Sequence, residues 1–213
     1  MGRDGARPSA AVAVAEGRKD KKSETRICSS AAFTLIEILI VIGIILFLAG
    51  LLLAVSGFVQ EKGKRSRAEA EIAAMSAALE TYKADNGIYP QNADTIALDP
   101  TADFDSTPPS AGQTNKYSKA SLYLYEQLFG VTSGTRSETP SSKSYLTFQP
   151  SMLYPWSSTD PVVGLRDPFG KLYGYSTLKA SNPAANGYNP TFDFWSTSNG
   201  KSSSDTSKWI KNW

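Results

Sequence analysis

The sequence FTLIEILIVIGIILFLAGLLLAVSGFV, residues 33–59, decides the architecture of this chain. From Ile38 to Val59 it contains no charged residue, and Ile, Leu, Val and Phe occupy every helical face. At about 1.5 Å of rise per residue, this uncharged stretch forms a helix about 33 Å long, close to the roughly 30 Å hydrocarbon core of a bilayer. A helix buried in a soluble protein would normally carry a polar stripe. The stretch therefore predicts a membrane-spanning helix.

Glu37 places one carboxylate near the beginning of this apolar stretch. A charged side chain at the centre of a membrane helix costs about 2.5–3.5 kcal/mol, and less near the interface. Glu37 therefore either reaches the lipid headgroups or has a partner of opposite charge. A secretory signal peptide is the alternative, because Ala54-Val55-Ser56 has the pattern of a cleavage site. The apolar run is longer than an ordinary signal sequence, however, and has this acid at its edge.

The segment Ala32-Phe33-Thr34-Leu35-Ile36-Glu37 resembles the prepilin processing motif of type IV pilins and type II secretion pseudopilins. The resemblance implies that a membrane prepilin peptidase cuts between Ala32 and Phe33 on the cytoplasmic side and methylates the new amino terminus. It also implies that Phe33 and Glu37 act in filament assembly. The family nearly always has Gly before the cleaved bond, where this chain has Ala32.

Residues 1–32 read as a cytoplasmic leader, with seven basic and four acidic side chains in an Ala-rich sequence. Charge alone leaves the orientation of the membrane helix open, because a basic cluster also follows it at Lys62, Lys64, Arg65 and Arg67. The resemblance implies a single pass through the bacterial inner membrane, with the leader inside and the carboxy-terminal head in the periplasm.

Beyond the apolar span, residues 60–86 change to one-sided amphipathicity. Apolar residues recur at steps of four, three, four and three, which is typical of one helix face. The other face is charged and places Arg65 and Glu69 at i,i+4 spacing. Because no Pro interrupts residues 33–86, we predict a single long helix that ends at Asp85-Asn86-Gly87. The predicted stripe comprises Ala68, Ile72, Met75, Leu79 and Tyr82.

Residues 87–213 are predicted to form a globular head, with a Ser/Thr/Pro-rich variable region at about 99–144. Within that region, Lys119–Phe129 has the pattern of a short amphipathic helix. A turn at Asp167-Pro168-Phe169-Gly170 precedes two β-prone runs at 171–177 and 191–196. We therefore expect an α+β, pilin-like fold in which the amphipathic half of the long helix packs on a small antiparallel sheet.

The last third of the chain is similar to the major pseudopilin of type II secretion. The similar segments are Asp167–Tyr173, Asp193–Ser196, Asn199-Gly200 and Asn212-Trp213. In that family the last loop binds Ca²⁺, which takes six to eight oxygen ligands. Here Asn199 stands in place of the first acid, and Asp205 is the only carboxylate in the loop. The resemblance thus implies at most a weak calcium site at Asn199 and Asp205, and a solvated Ser-rich loop is favoured over it.

Composition disfavours an enzyme. The chain contains no His and one Cys, which removes the commonest general base and excludes a Cys zinc cluster. The acid pair Asp103 and Asp105 has no accompanying base, and no nucleophile-elbow, phosphate-loop or metalloprotease motif occurs. The net charge of +2 does not indicate a nucleic-acid partner.

Two functions remain. The preferred one is a structural subunit of a type II secretion pseudopilus or type IV pilus-like filament. Its expected partners are other pilin or pseudopilin subunits, prepilin peptidase and the inner-membrane assembly platform. The alternative is a membrane-anchored exported module whose head binds a glycan or a protein through Tyr and Trp side chains.

Overall fold

The computed structural model describes residues 33–136, 139–140, 142–157 and 159–213, without the side chains of residues 54–56. The chain divides into two compact units, and the boundary lies between Ala49 and Gly50. The first helix begins in the first unit and ends in the second, and the other helices and strands lie in the second unit. The predicted leader, residues 1–32, lies outside the described residues.

Helix α1 spans Leu35–Asn86, which confirms the predicted long helix except for its first two residues. It begins later because Thr34 caps it, with the Thr34 carbonyl accepting from the Glu37 N–H at 3.1 Å. It ends where Gly87 adopts a φ of +80°, a left-handed conformation that Gly tolerates best. The Gly87 N–H donates to the Lys83 carbonyl at 2.7 Å and closes the last turn.

The predicted stripe of α1 forms part of the main core. Ala68, Ile72, Met75 and Leu79 are buried, and Tyr82 is half-buried against the same cluster. The cluster also contains Leu124, Tyr125 and Leu128 of the third helix and aromatic side chains of the sheet. The charged face is exposed, and the predicted Arg65–Glu69 pair forms at 3.3 Å. The amphipathic half of α1 is therefore an ordinary surface helix of the head.

Two further helices precede the strands. Helix α2 (Ala93–Ala97) was not predicted, and α3 (Lys116–Phe129) begins three residues before the predicted start at Lys119. The reason for the earlier start is a capping box: the Asn115 side chain accepts from the Ser118 N–H at 2.8 Å, and the Ser118 hydroxyl accepts from the Asn115 N–H at 2.8 Å.

The strands form two small antiparallel sheets. One pairs β1 (Leu153–Tyr154) with β2 (Gly164–Leu165). The other has the order β3-β4-β5, with β3 at Gly174–Ser176, β4 at Asp193–Ser196 and β5 at Ile210–Lys211. A short helix, α4 (Leu178–Ser181), lies between β3 and β4. The predicted strands at 171–177 and 191–196 are confirmed in shorter form, and so is the α+β fold.

Close aromatic packing fixes the register of β3 against β4. Gly174 pairs with Trp195, and a Cβ on Gly174 would lie only 2.3 Å from the Trp195 ring. Trp195 in turn stacks on Trp209 with ring centroids 6.0 Å apart, in a second core cluster. A side chain larger than hydrogen at position 174 would therefore displace the centre of this cluster.

The predicted turn at Asp167–Gly170 is also present. The buried side chain of Asp167 forms hydrogen bonds both within this turn and to β4. The Gly170 N–H donates to the Asp167 carbonyl at 3.0 Å. The Asp167 Oδ1 accepts from the Phe169 and Lys171 N–H groups, and its Oδ2 accepts from the Ser196 hydroxyl on β4. Burial raises the pKa of Asp167 to about 6. The turn therefore holds β4 through one carboxyl group.

Candidate functional site

The candidate processing and assembly site lies at the beginning of α1. Phe33 precedes the helix and its side chain is 78% exposed, while Ala32 lies outside the described residues. Glu37 occupies the first helical turn. Phe33 and Glu37 are thus brought together at one end of one helix, one turn apart.

The Glu37 carboxylate is already bound by its own chain. Its Oε2 accepts from the Thr34 N–H and from the Thr34 hydroxyl, each at 2.8 Å, and the Glu37 N–H donates to the Thr34 Oγ1 at 3.3 Å. This reciprocal pattern is a capping box, which satisfies donors that the first turn of a helix leaves open. Among the described residues, no donor bonds the second oxygen, Oε1. The carboxylate therefore has a fixed orientation and one oxygen that is free of hydrogen bonds to the described residues.

The helix surface that follows is apolar and uncovered. From Leu35 to Leu53 every residue is exposed, and so are Phe58 and Val59 beyond them. Among the described residues, α1 alone is long and apolar enough to cross a membrane, by length and composition. An apolar surface of this extent is stable only against lipid or against other apolar chains.

The candidate calcium loop lies between β4 and β5, and a short 3₁₀ helix at Ser203–Lys208 occupies much of it. Asn199 is exposed. The Asp205 Oδ2 accepts from the Lys201 N–H at 3.2 Å and the Ser202 hydroxyl at 2.9 Å, and its Oδ1 pairs with Lys208 Nζ at 3.1 Å. The Lys208 ammonium is the first cause of a lowered Asp205 pKa, at about 2. The loop therefore binds its one carboxylate with its own donors.

These residues offer few oxygen ligands for a calcium ion. The described residues contain no group of three His, Cys, Asp or Glu side chains that could hold a metal. The Trp209 indole Nε1 is buried without a hydrogen-bond partner among the described residues, and as a donor it cannot ligate a cation. Ca²⁺ requires six to eight oxygens, and one carboxylate already paired with Lys208 supplies few of them.

Sequence reasoning missed how the loop is held. Arg65 on α1 donates from Nη1 to the Lys208 carbonyl at 2.9 Å, and Ser198 donates to the same carbonyl at 3.3 Å. The i,i+3 spacing of Asp205 and Lys208 is a local signal from which a helical ion pair could have been predicted. The link to Arg65 spans most of the chain and has no local signal.

A cleft in the head was also not predicted. It has a volume of about 610 Å³ and lies among Tyr125 and Phe129 of α3, Phe148, Leu153 and Trp156. Of the described residues that line it, Arg136 is the only charged one. Trp156 is 69% exposed, although it is one of the largest apolar side chains of the head.

A long apolar helix that continues into an α+β head is the architecture of pilin-like proteins. Within that class, residues 58–123 match the family model described as Type II secretion system (T2SS), protein G. The match begins at the end of the apolar span and continues through α2 into α3, about a third of the chain. It supports a pseudopilin-like protein, which confirms the resemblance found in the sequence.

No curated protein and no solved structure matched the chain. The family match and the apolar helix together fit a protein anchored in the inner membrane. Pseudopilins are structural proteins rather than enzymes, and their partners are other pseudopilin subunits and the secretion machinery. The match does not include Phe33, Glu37, Asn199 or Asp205.

Proposed function

We propose that this chain is a structural subunit of a type II secretion pseudopilus or a related type IV pilus-like filament. Residues 1–32 form its cytoplasmic leader, prepilin peptidase cleaves between Ala32 and Phe33, and the head is periplasmic. The observation that carries this proposal is the uncovered apolar surface of α1, which has a single oriented carboxylate at its beginning.

The apolar surface of α1 is suited to two successive environments, the lipid bilayer and then a bundle of neighbouring helices. In the membrane, lipid covers residues 35–59. When the inner-membrane assembly platform extracts the subunit, water would meet the same surface unless neighbouring helices cover it, and the hydrophobic effect favours that bundle. Since no polar stripe interrupts this surface, every side of the helix is suited to contact a neighbour.

Glu37 gives the bundle its register. Inside a bundle of apolar helices an unpaired carboxylate is unfavourable, and the family resemblance provides the amino terminus of Phe33 on an adjacent subunit as its partner. The Oε1 atom is open to such a donor, because Thr34 binds only Oε2. A subunit at the wrong height would leave both charges unpaired, at a cost of several kcal/mol.

The test is filament yield from Glu37 variants in a strain that carries the cognate assembly machinery. Glu37→Leu and Glu37→Gln should insert, be cleaved and fold their heads, yet give little sheared filament relative to membrane-retained subunit. Glu61→Gln is the matched control, because Glu61 is an exposed acid on the same helix. A normal filament yield from Glu37→Leu would contradict the assembly role and favour a side chain that simply reaches the headgroups.

The alternative function, an anchored binding module, has one observation in its favour, which is the aromatic cleft of the head. The two functions predict different consequences of the same variant. A binding module should keep its ligand affinity and its cellular role when Glu37 is replaced, whereas a filament subunit should lose its role with its assembly.

A further inference from the structure

The cleft of the head contains a cation that has no ion-pair partner among the described residues. Arg136 lines the cleft, and it makes no ion pair with any carboxylate among the described residues. Its Nε donates to the Asp160 carbonyl at 2.5 Å, and its Nη2 donates to the Pro155 carbonyl. Two backbone carbonyls therefore fix the guanidinium plane without neutralising it.

Donors remain on this guanidinium. A guanidinium has five N–H groups, and the two carbonyls accept from two of them. Burial lowers the pKa of Arg136, and the charge of Asp160 offsets this only in part, since it lies beyond ion-pair distance. A planar guanidinium with open N–H groups is well suited to bind a carboxylate with two hydrogen bonds.

A second guanidinium lies beside the exposed aromatic ring at the edge of the cleft. The Arg166 Cζ is 4.4 Å from the centroid of the Trp156 ring, and its buried Nη1 has no hydrogen-bond partner among the described residues. Arg166 likewise makes no ion pair with a described carboxylate. Two cations that make no ion pair with a described carboxylate thus lie near a tryptophan that is largely exposed.

The rest of the described lining is mostly apolar, and its polar groups are the hydroxyls of Tyr125, Ser144 and Thr147. Tyr125, Phe129, Phe148 and Leu153 surround the interior, and the Tyr125 hydroxyl is already used by the Thr135 carbonyl at 2.8 Å. The volume of about 610 Å³ lies in the range of small-molecule sites, which runs from about 300 to 1,000 Å³. A sugar would require many more polar groups than this lining offers.

We propose that the cleft binds a small organic carboxylate with an aromatic or aliphatic body. The body packs against Phe148 and the exposed ring of Trp156, and the carboxylate accepts from Arg136. This site is independent of filament assembly, so it does not depend on the role of Glu37.

The experiment uses the full chain in zwitterionic nanodiscs, with 2-naphthoate as the probe and 2-naphthamide as its neutral counterpart. Affinity is measured by equilibrium dialysis, and contact is measured by ¹⁹F NMR of 5-fluorotryptophan, with the Trp156 signal identified from Trp156→Phe. We expect naphthoate to shift the Trp156 signal and to bind at least about tenfold more tightly than naphthamide, as a charge-assisted hydrogen bond provides.

Two variants and one control complete the test. Arg136→Gln should remove the preference for naphthoate, and Trp156→Ala should weaken both probes. Trp156→Ala keeps the test valid if Arg136→Gln fails to fold, because Trp156 is mostly exposed. Lys116→Gln, which removes an exposed cation outside the cleft, should change neither affinity. Equal affinity for the two probes, or binding that survives Trp156→Ala, would overturn the proposal.

Discussion

At the scale of single residues, Thr34 changes how Glu37 is understood. The sequence presents Glu37 as an acid in need of a partner, and the structure gives that acid two donors from its own helix cap. The carboxylate is therefore not wholly unsatisfied, which would lower the cost of keeping it near a bilayer interface. The unbonded Oε1 preserves the capacity to accept from a neighbouring chain.

The first residue-scale prediction is cleavage between Ala32 and Phe33. The motif stands directly before an apolar helix, and Phe33 precedes the first helical turn and is exposed. Mass spectrometry of protein purified from membranes should find an amino-terminal, N-methylated Phe33 in cells with an active prepilin peptidase.

Two controls make this measurement decisive. A strain that lacks the peptidase should accumulate the uncleaved chain. Ala32→Gly should be cleaved at least as completely as the natural sequence, because Gly is the usual residue at that position in the family. Recovery of only the uncleaved chain in the presence of active peptidase would show that Ala32 is not accepted.

At the scale of elements, the two halves of α1 differ in how their side chains are covered. Apart from Glu37, the described side chains of α1 up to Val59 are apolar and exposed, and from Ala68 onward only one face is buried against the head. The basic residues that separate the halves are tied to acids one turn away, Arg65 to Glu69 and Arg67 to Glu71. The head is therefore completed by residues 68–82, and the apolar part remains available for lipid or neighbouring subunits.

The loop between β4 and β5 should gain little stability from calcium. Lys208 already neutralises Asp205, so Ca²⁺ would have to displace an internal ammonium from a single carboxylate. Thermal unfolding of the full chain in detergent should show the same midpoint with millimolar CaCl₂ as with MgCl₂. A large rise with calcium alone would show that backbone oxygens bind the ion.

A designed variant provides the positive control for that experiment. Asn199→Asp with Lys208→Asp adds two carboxylates and removes the competing ammonium, so its midpoint should rise with CaCl₂. Lys208→Ala alone should lower the midpoint slightly and leave it insensitive to calcium. If Lys208→Ala became as sensitive to calcium as the double variant, Lys208 alone would be what excludes the ion.

The elements that were predicted from sequence are those with a strong local pattern. The long helix has an uninterrupted apolar run and then a clear stripe, and the strand around Phe194 is rich in aromatic residues. The pair β1–β2 was missed because two residues per strand are too few to show alternation. The cleft was missed because its lining spans residues 125–156 and depends on how loops fold over α3. At the start of α1 the sequence identified Phe33 and Glu37, but not that Thr34 binds the carboxylate.

At the scale of the whole molecule, buried and half-buried hydrogen bonds connect segments that are far apart in sequence. Tyr173 donates to Glu71 of α1 at 2.7 Å, and Tyr175 donates to the Pro90 carbonyl at 2.8 Å. Asp167 binds Ser196 while its own turn binds the other oxygen. Because Asp167 is buried and can be protonated, the stability of the head depends on the ionisation of that carboxyl group as well as on apolar packing.

The last prediction concerns the pH dependence of that stability. Burial raises the pKa of Asp167 from 3.8 to about 6, so between these values the folded chain holds a proton that the unfolded chain has released. The free energy of unfolding should therefore fall as pH rises from about 4 to about 6, and remain at the lower value above that, by at most about 3 kcal/mol. Asp167→Asn cannot ionise, yet its side-chain oxygen can still accept from Phe169 and Lys171.

The measurement is guanidinium unfolding of the full chain and of Asp167→Asn, followed by the fluorescence of the buried Trp195 and Trp209, at about pH 3.5 and about pH 7. Burial also raises the pKa of Asp193, but that residue is present in both proteins, so its contribution cancels in the comparison. The natural chain should lose stability relative to the variant as pH rises. A difference that stays constant would contradict the prediction and mean that the three donors around Asp167 balance its burial. A change in the opposite direction would mean that they outweigh burial and stabilise the ionised form.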